Sequence, residues 1–126
     1  MSVGQFVFML HSHLPYYRKA GMWPFGEENL YECMAETYIP LLNAISELYD
    51  EGIKAKLTVG ITPILAEQLN DEHLKNGFIK YLDSRIEQVS KDLERYPDPK
   101  VAHSQHLKYL AKYYFCLLYT SDAADE

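Results

Sequence analysis

The sequence predicts an α/β fold in which parallel strands alternate with helices, and three observations predict it. Two short apolar runs, QFVFML at residues 5–10 and KAKLTVG at 54–60, have the length and β-branched or aromatic content of strands. Each is followed by apolar residues at three- and four-residue steps, the period of a helix with one buried face. Helix start and stop signals stand between these segments, and a β-α-β-α order closes most simply through right-handed crossovers into an open parallel sheet or a barrel.

Taken in order, the first run reads as a strand buried on both faces, as parallel strands usually are. From Glu27, the residues Leu30, Met34, Tyr38, Leu41, Ile45 and Leu48 line one helical face through Glu51, and Gly52 supplies the stop. Pro40 lies inside this run. It has no amide hydrogen and clashes with the preceding turn, so a kink or two consecutive helices is expected there. After the second strand, Thr62 and Pro63 give an N-cap and a first-turn proline for a short helix through Leu69. Asp71 caps a longer helix in which Leu74, Phe78, Leu82, Ile86, Val89 and Leu93 share a face. Gly77 weakens that helix by about 1 kcal/mol relative to alanine, and the PDP at 97–99 ends it. Residues 101–115 return to helical spacing, with tyrosines on one side.

Composition narrows the function. The chain has 126 residues, 48% of them hydrophobic, enough for one core. A formal charge of -6 offers no basic surface to a nucleic-acid backbone or an anionic membrane. The N-terminal apolar run is short and has no basic leader, and no segment approaches a bilayer span, so a cytoplasmic protein is expected. Cys33 and Cys116 have neither metal-ligand nor disulfide-framework spacing, which fits a reducing compartment. CLLYTSDAADE, residues 116–126, reads like a translated sequencing adapter. It is expected to be a disordered tail or a helix extension without function, and the native chain is expected to continue past Phe115.

The chemistry-bearing stretch is HSHLPYYRKAGMWPFGEE, residues 11–28, directly after the first strand. Ligands of parallel α/β folds bind at the carboxyl ends of strands, and this loop starts at one. His11 and His13, two residues apart, face the same way if the strand continues through them. Two uses are open: metal binding, which would make the chain part of a metal-dependent barrel hydrolase, or hydrogen bonding to a polar ligand such as a sugar. For metal, no third and fourth ligands are evident, because His73, His103 and His106 lie on helices elsewhere. Tyr16, Tyr17, Trp23 and Phe25 are rich in flat apolar surface for a connecting loop, and Trp23 is the aromatic expected to face a ligand. Arg18 and Lys19 read as solvated bases. Glu27 and Glu28 are explained by the helix macrodipole.

Residues 6–42, FVFMLHSHLPYYRKAGMWPFGEENLYECMAETYIPLL, resemble the N-terminus of glycoside hydrolase family 57, and within it the 1,4-alpha-glucan branching enzymes. The HxHxPY strand end, the RKxGxWPFGEE loop and the MAETYxPLL helix agree in order and spacing, and weaker similarity runs on to about Phe115. The resemblance implies the first part of an incomplete (β/α)7 barrel. It implies a retaining reaction on an alpha-1,4 glucan such as amylose or glycogen, with a glutamate nucleophile, an aspartic acid as proton donor, and no metal or cofactor. Both carboxylates would come from later strands, so no catalytic residue is expected within these residues. The resemblance implies His11, His13 and Trp23 as substrate-binding residues: His11 matches the histidine of the first family motif that contacts sugar near the cleaved bond, His13 its neighbour in that motif, and Trp23 the loop tryptophan near the glucan cleft. A non-catalytic, truncated sugar-binding piece is the further alternative.

Overall fold

The structure, a computed structural model, describes residues 4, 6–54, 56–98, 100 and 102–122. It contains strand β1 (Phe8–Ser12), helix α1 (Glu27–Cys33), a π-helical segment (Met34–Tyr38), α2 (Ile39–Asp50), β2 (Leu57–Ile61), α3 (Pro63–Asn70), α4 (Glu72–Arg95) and α5 (Ala102–Asp122). The expected alternation holds. β1 and β2 pair in parallel, with Phe8 opposite Leu57, His11 opposite Gly60 and Ser12 opposite Ile61.

Pro40 acts as its chemistry demands. The helical run divides, α2 starts with Pro40 in its first turn, and the five residues before α2 are wound as π-helix, with the Ile39 N–H donating to the Met34 carbonyl. The wider turn absorbs the position where a proline interrupts α-helical bonding. One apolar face survives the change of winding, though α2 buries none of its residues fully.

Two expectations about the strands are corrected. β1 begins at Phe8 and runs two residues further than the apolar run, through His11 and Ser12. Residue 5 of that run, and residue 55 of the second, lie outside the described residues. Nor is β1 buried on both faces: Phe8 and Met9 are exposed, as are Phe6 and Val7 before the strand and Val59 and Ile61 of β2. A two-stranded sheet has too few neighbours to cover both sides.

The chain divides into two compact units, one up to Leu74 and one from Lys75. In the first, Leu30, Tyr31, Ala35, Leu65 and Leu74 are buried, together with the polar Glu27 and Gln68. In α4 the Leu74 N–H donates to Asp71 Oδ1 at 3.1 Å, the expected cap. Thr62 occupies the N-cap of α3 but its hydroxyl makes no capping bond; the Thr62 carbonyl instead accepts the Ala66 N–H at 3.0 Å.

In the second unit Phe78, Tyr81, Leu82, Val89, Leu107 and Leu117 are buried. Arg85 lies over the Tyr81 ring at 4.8 Å. His103 meets the Tyr96 ring edge-on at 5.0 Å between centroids, and His106, Tyr109 and Tyr113 stack along α5 at 6.4 and 6.2 Å. α5 continues past residue 115 to Asp122; residues 99, 101 and 123–126 of the segments discussed above lie outside the described residues. No described helix is long and apolar enough to cross a membrane.

Candidate functional site

β1 delivers His11 on the strand and His13 just past it, and both are exposed. Their rings face one another at 5.6 Å between centroids, tilted by 44°, so the shared direction expected from their spacing is realised. His11 has room for its ring because Gly60 lies opposite: a Cβ on Gly60 would stand 3.0 Å from His11 Nδ1. Next along β1, the Ser12 hydroxyl donates to the Tyr38 hydroxyl at 2.8 Å, tying the strand end to the π-helical segment.

The loop from His13 to Gly26 is fastened at its start by α3. The Tyr17 N–H donates to Gln68 Oε1 at 2.7 Å, and Gln68 Nε2 donates to the Pro15 carbonyl at 3.0 Å and the Ile64 carbonyl at 3.3 Å. Gln68 is fully buried, and from the interior its amide answers two part-buried loop backbone groups and one helical carbonyl. Arg18 is not a free solvated base: its Nε donates to Asp71 Oδ2 at 2.6 Å. Burial pushes the Asp71 carboxyl up, but the Arg18 hydrogen bond and charge and the Leu74 N–H more than reverse this, leaving it below its ordinary range. Lys19 sits at φ 61° and gives its backbone N–H, not its ammonium, to the network.

The acceptor of that N–H is Glu27, for which the sequence predicts the helix-dipole role alone. The structure corrects this. Glu27 is 7% exposed; its Oε1 accepts the Lys19 N–H at 2.7 Å and lies 2.8 Å from His73 Nε2, while Oε2 accepts the Tyr31 hydroxyl at 3.2 Å. A first-turn glutamate serving only the macrodipole would stay in water. Burial alone would raise its pKa, but the Lys19 N–H, the His73 ring and the Tyr31 hydroxyl outweigh it and hold Glu27 below its ordinary value. Burial, followed by the negative charge of Glu27, raises the Tyr31 phenol. A hydrophobic staple or dipole pattern in sequence could not have shown this, since the partners Lys19, Tyr31 and His73 are distributed over three segments.

These directions set an acid limit on stability. Glu27 and Asp71 have folded pKa values below their ordinary 4.5 and 3.8, so their contribution is complete above those values and is lost as pH falls through the folded ones. The urea midpoint of the chain is expected to fall as pH drops below about 4.5, more steeply than in a Glu27→Gln variant. Parallel acid profiles for the two proteins would contradict this.

The loop's second half closes on α1. The Glu27 N–H donates to the Gly21 carbonyl at 2.8 Å and the Glu28 N–H to the Met22 carbonyl at 3.3 Å. Between these bonds Trp23, Pro24 and Phe25 form a projecting arc in which Trp23 is 78% and Phe25 81% exposed. The structure thus brings the two histidines together and leaves Trp23 displayed on the loop. A cavity of about 460 Å³ also adjoins the site, lined by Leu10, His11, Ser12, Tyr38, Leu41 and Leu65 among others. Its walls are almost wholly apolar and offer few partners for a polar ligand, so the loop is the better candidate.

For metal, His73 is engaged by Glu27 and His103 and His106 by aromatic rings. Among the described residues no group of three or more His, Cys, Asp or Glu is placed to hold an ion. Neither Cys33 nor Cys116 is part of a disulfide among the described residues.

Residues 7–122 match the family model of glycosyl hydrolase family 57. The chain belongs to this family. It is 43% identical over 111 residues to a 1,4-alpha-glucan branching enzyme of Thermococcus kodakarensis, a match covering 88% of this chain and 16% of that protein. It is 42% identical over 79 residues to a probable 1,4-alpha-glucan branching enzyme of Mycobacterium tuberculosis, covering 63% of this chain and 15% of the relative. Among solved structures, the family 57 branching enzyme of Pyrococcus horikoshii superposes with a TM-score of 0.89 at 40% identity, covering 94% of this chain and 22% of that one. The alpha-amylase AmyC of Thermotoga maritima gives 0.79 at 30% identity, over 94% and 22%. The chain of this family 57 member therefore spans about a sixth of the length of the curated relatives and about a fifth of the solved ones.

Proposed function

We propose that this family 57 chain forms the first part of an incomplete (β/α)7 barrel in a retaining 1,4-alpha-glucan branching enzyme, and supplies one edge of its glucan cleft. The catalytic glutamate and aspartic acid then lie outside these residues, and Glu27, buried and fully engaged, is not one of them. Glucan chains of the amylose or glycogen type are the proposed ligand, with glycogen synthesis as the setting. The observation that carries the reading is the loop after β1: two imidazoles side by side at a strand end, and beyond them an exposed tryptophan. His11 and His13 offer a donor and an acceptor each to sugar hydroxyls. Trp23 offers a flat apolar face to the C–H surface of a pyranose ring.

Similarity to both branching enzymes and an alpha-amylase leaves the fate of the covalent glucosyl intermediate to residues elsewhere. Transfer to a 6-hydroxyl makes a branch, whereas capture by water is hydrolysis. The test is a chimera in which this chain replaces the corresponding segment of the Thermococcus kodakarensis enzyme. The chimera is expected to transfer glucan, and His11→Ala within it to lower kcat/KM about tenfold, the worth of one good hydrogen bond to substrate, with the unfolding temperature unchanged. A His11→Ala chimera as active as its parent would sink the assignment.

A further inference from the structure

Building on the glucan reading, we infer that Glu27 is a positioning residue: its buried carboxylate keeps the neck of the 19–28 loop closed, so that Trp23 and Phe25 project together as two aromatic surfaces for a sugar chain. The geometry is that of a ring fastened at one point from two sides. The Glu27 side chain holds the Lys19 N–H at 2.7 Å and its own N–H holds the Gly21 carbonyl at 2.8 Å, so one residue joins α1 to both the entry and the middle of the loop. Gly26 lies so close to Gly21 that the two sides of the neck touch. Only the arc from Trp23 to Phe25 remains outside.

Burying a carboxylate is costly unless its partners are all in place, and a helix start gains the dipole benefit without it. What burial adds here is reach, because an exposed glutamate would not approach the Lys19 amide. His73, at 2.8 Å on the same oxygen, and Tyr31, at 3.2 Å on the other, fix the carboxylate's orientation. Asp71 provides a separate grip through Arg18, one residue before Lys19. Two large aromatics exposed two residues apart on a closed arc are surface that a ligand would cover, and a loop held in its bound shape loses less entropy on binding.

Trp23 is the sole tryptophan of the chain, so its emission reports the arc directly. The experiment compares Trp23 fluorescence anisotropy and acrylamide quenching in the full 126-residue chain and its Glu27→Gln variant, with far-UV circular dichroism as the folding control and maltoheptaose as the probe ligand. Glu27→Gln is expected to keep its helical signal, lower the Trp23 anisotropy, and weaken maltoheptaose binding by about threefold or more. A folded Glu27→Gln chain with unchanged anisotropy overturns the inference. If that variant does not fold, His73→Ala removes a partner from the same oxygen at a half-exposed position; unchanged Trp23 anisotropy there overturns it equally. Should Glu27→Gln loosen Trp23 while neither protein responds to maltoheptaose, the positioning role stands and the glucan reading fails.

Discussion

Gly26→Ala is expected to destabilise the folded chain by about 3 kcal/mol, the upper end of what forced overpacking costs. The cause is chiefly space: Gly26 has φ -114° and ψ -147°, with no left-handed φ to account for the cost. A Cβ there would fall 2.0 Å from the Gly21 carbonyl oxygen, 2.5 Å from its carbon and 2.9 Å from the Met22 carbonyl oxygen. All three are backbone atoms that cannot swing aside like a side chain. The neck must open, and the Glu27 N–H to Gly21 bond breaks with it. Gly21→Ala is the informative control, since Gly21 has φ 86° and nothing within 4 Å of an added Cβ; only the left-handed backbone penalty of about 1 kcal/mol applies. Urea unfolding of both variants measures the difference. If Gly26→Ala costs no more than Gly21→Ala, the close approach at the neck is not a constraint in solution.

Gln68→Leu keeps the volume of a buried side chain and removes every hydrogen bond it makes. Tyr17 N–H and the Pro15 carbonyl lose their partner together, along with the weaker bond to Ile64. Leaving backbone polar groups unsatisfied costs about 1 to 3 kcal/mol each where they stay dry. These groups are only partly buried, so water recovers some of that and a net loss of about 2 kcal/mol is expected. The more specific readout is hydrogen exchange at the Tyr17 amide, which should accelerate by about an order of magnitude while amides within α4 change less. Unaltered exchange at Tyr17 would mean that Gln68 does not hold the loop. Both variants act on the same loop from opposite ends, so their costs need not add.

Much of the architecture was legible because it follows from local chemistry. The parallel alternation, the Asp71 cap, the interruption at Pro40 and the helical face of α4 all rest on short-range periodicity, on a missing amide hydrogen, or on one side chain reaching the next turn. Strand limits were less legible. β1 extends through His11 and Ser12 because its carbonyls and amides find β2 in register, and hydropathy carries no trace of that pairing. Full burial of β1 was inferred from its composition, yet burial depends on how many neighbours a strand has, which its own residues do not encode.

The site divides in the same way. The candidacy of the loop after the first strand was readable in the sequence: two histidines at strand spacing, a loop crowded with aromatics, and motif order shared with family 57. Residue type and spacing are enough for that, since they decide which chemistry a segment can offer. What holds the loop in place was decided by tertiary structure. Glu27 looked like an ordinary first-turn acid, Gln68 an ordinary helical residue, Arg18 a solvated base and His73 an unassigned imidazole. Folding brings Gln68 against Pro15 and Tyr17, Asp71 against Arg18, and Glu27 between Lys19, Tyr31 and His73. Side-chain hydrogen bonds of this kind act over about 3 Å between residues up to 53 positions apart, and a linear sequence gives no distance across such a gap until strands and helices have set it.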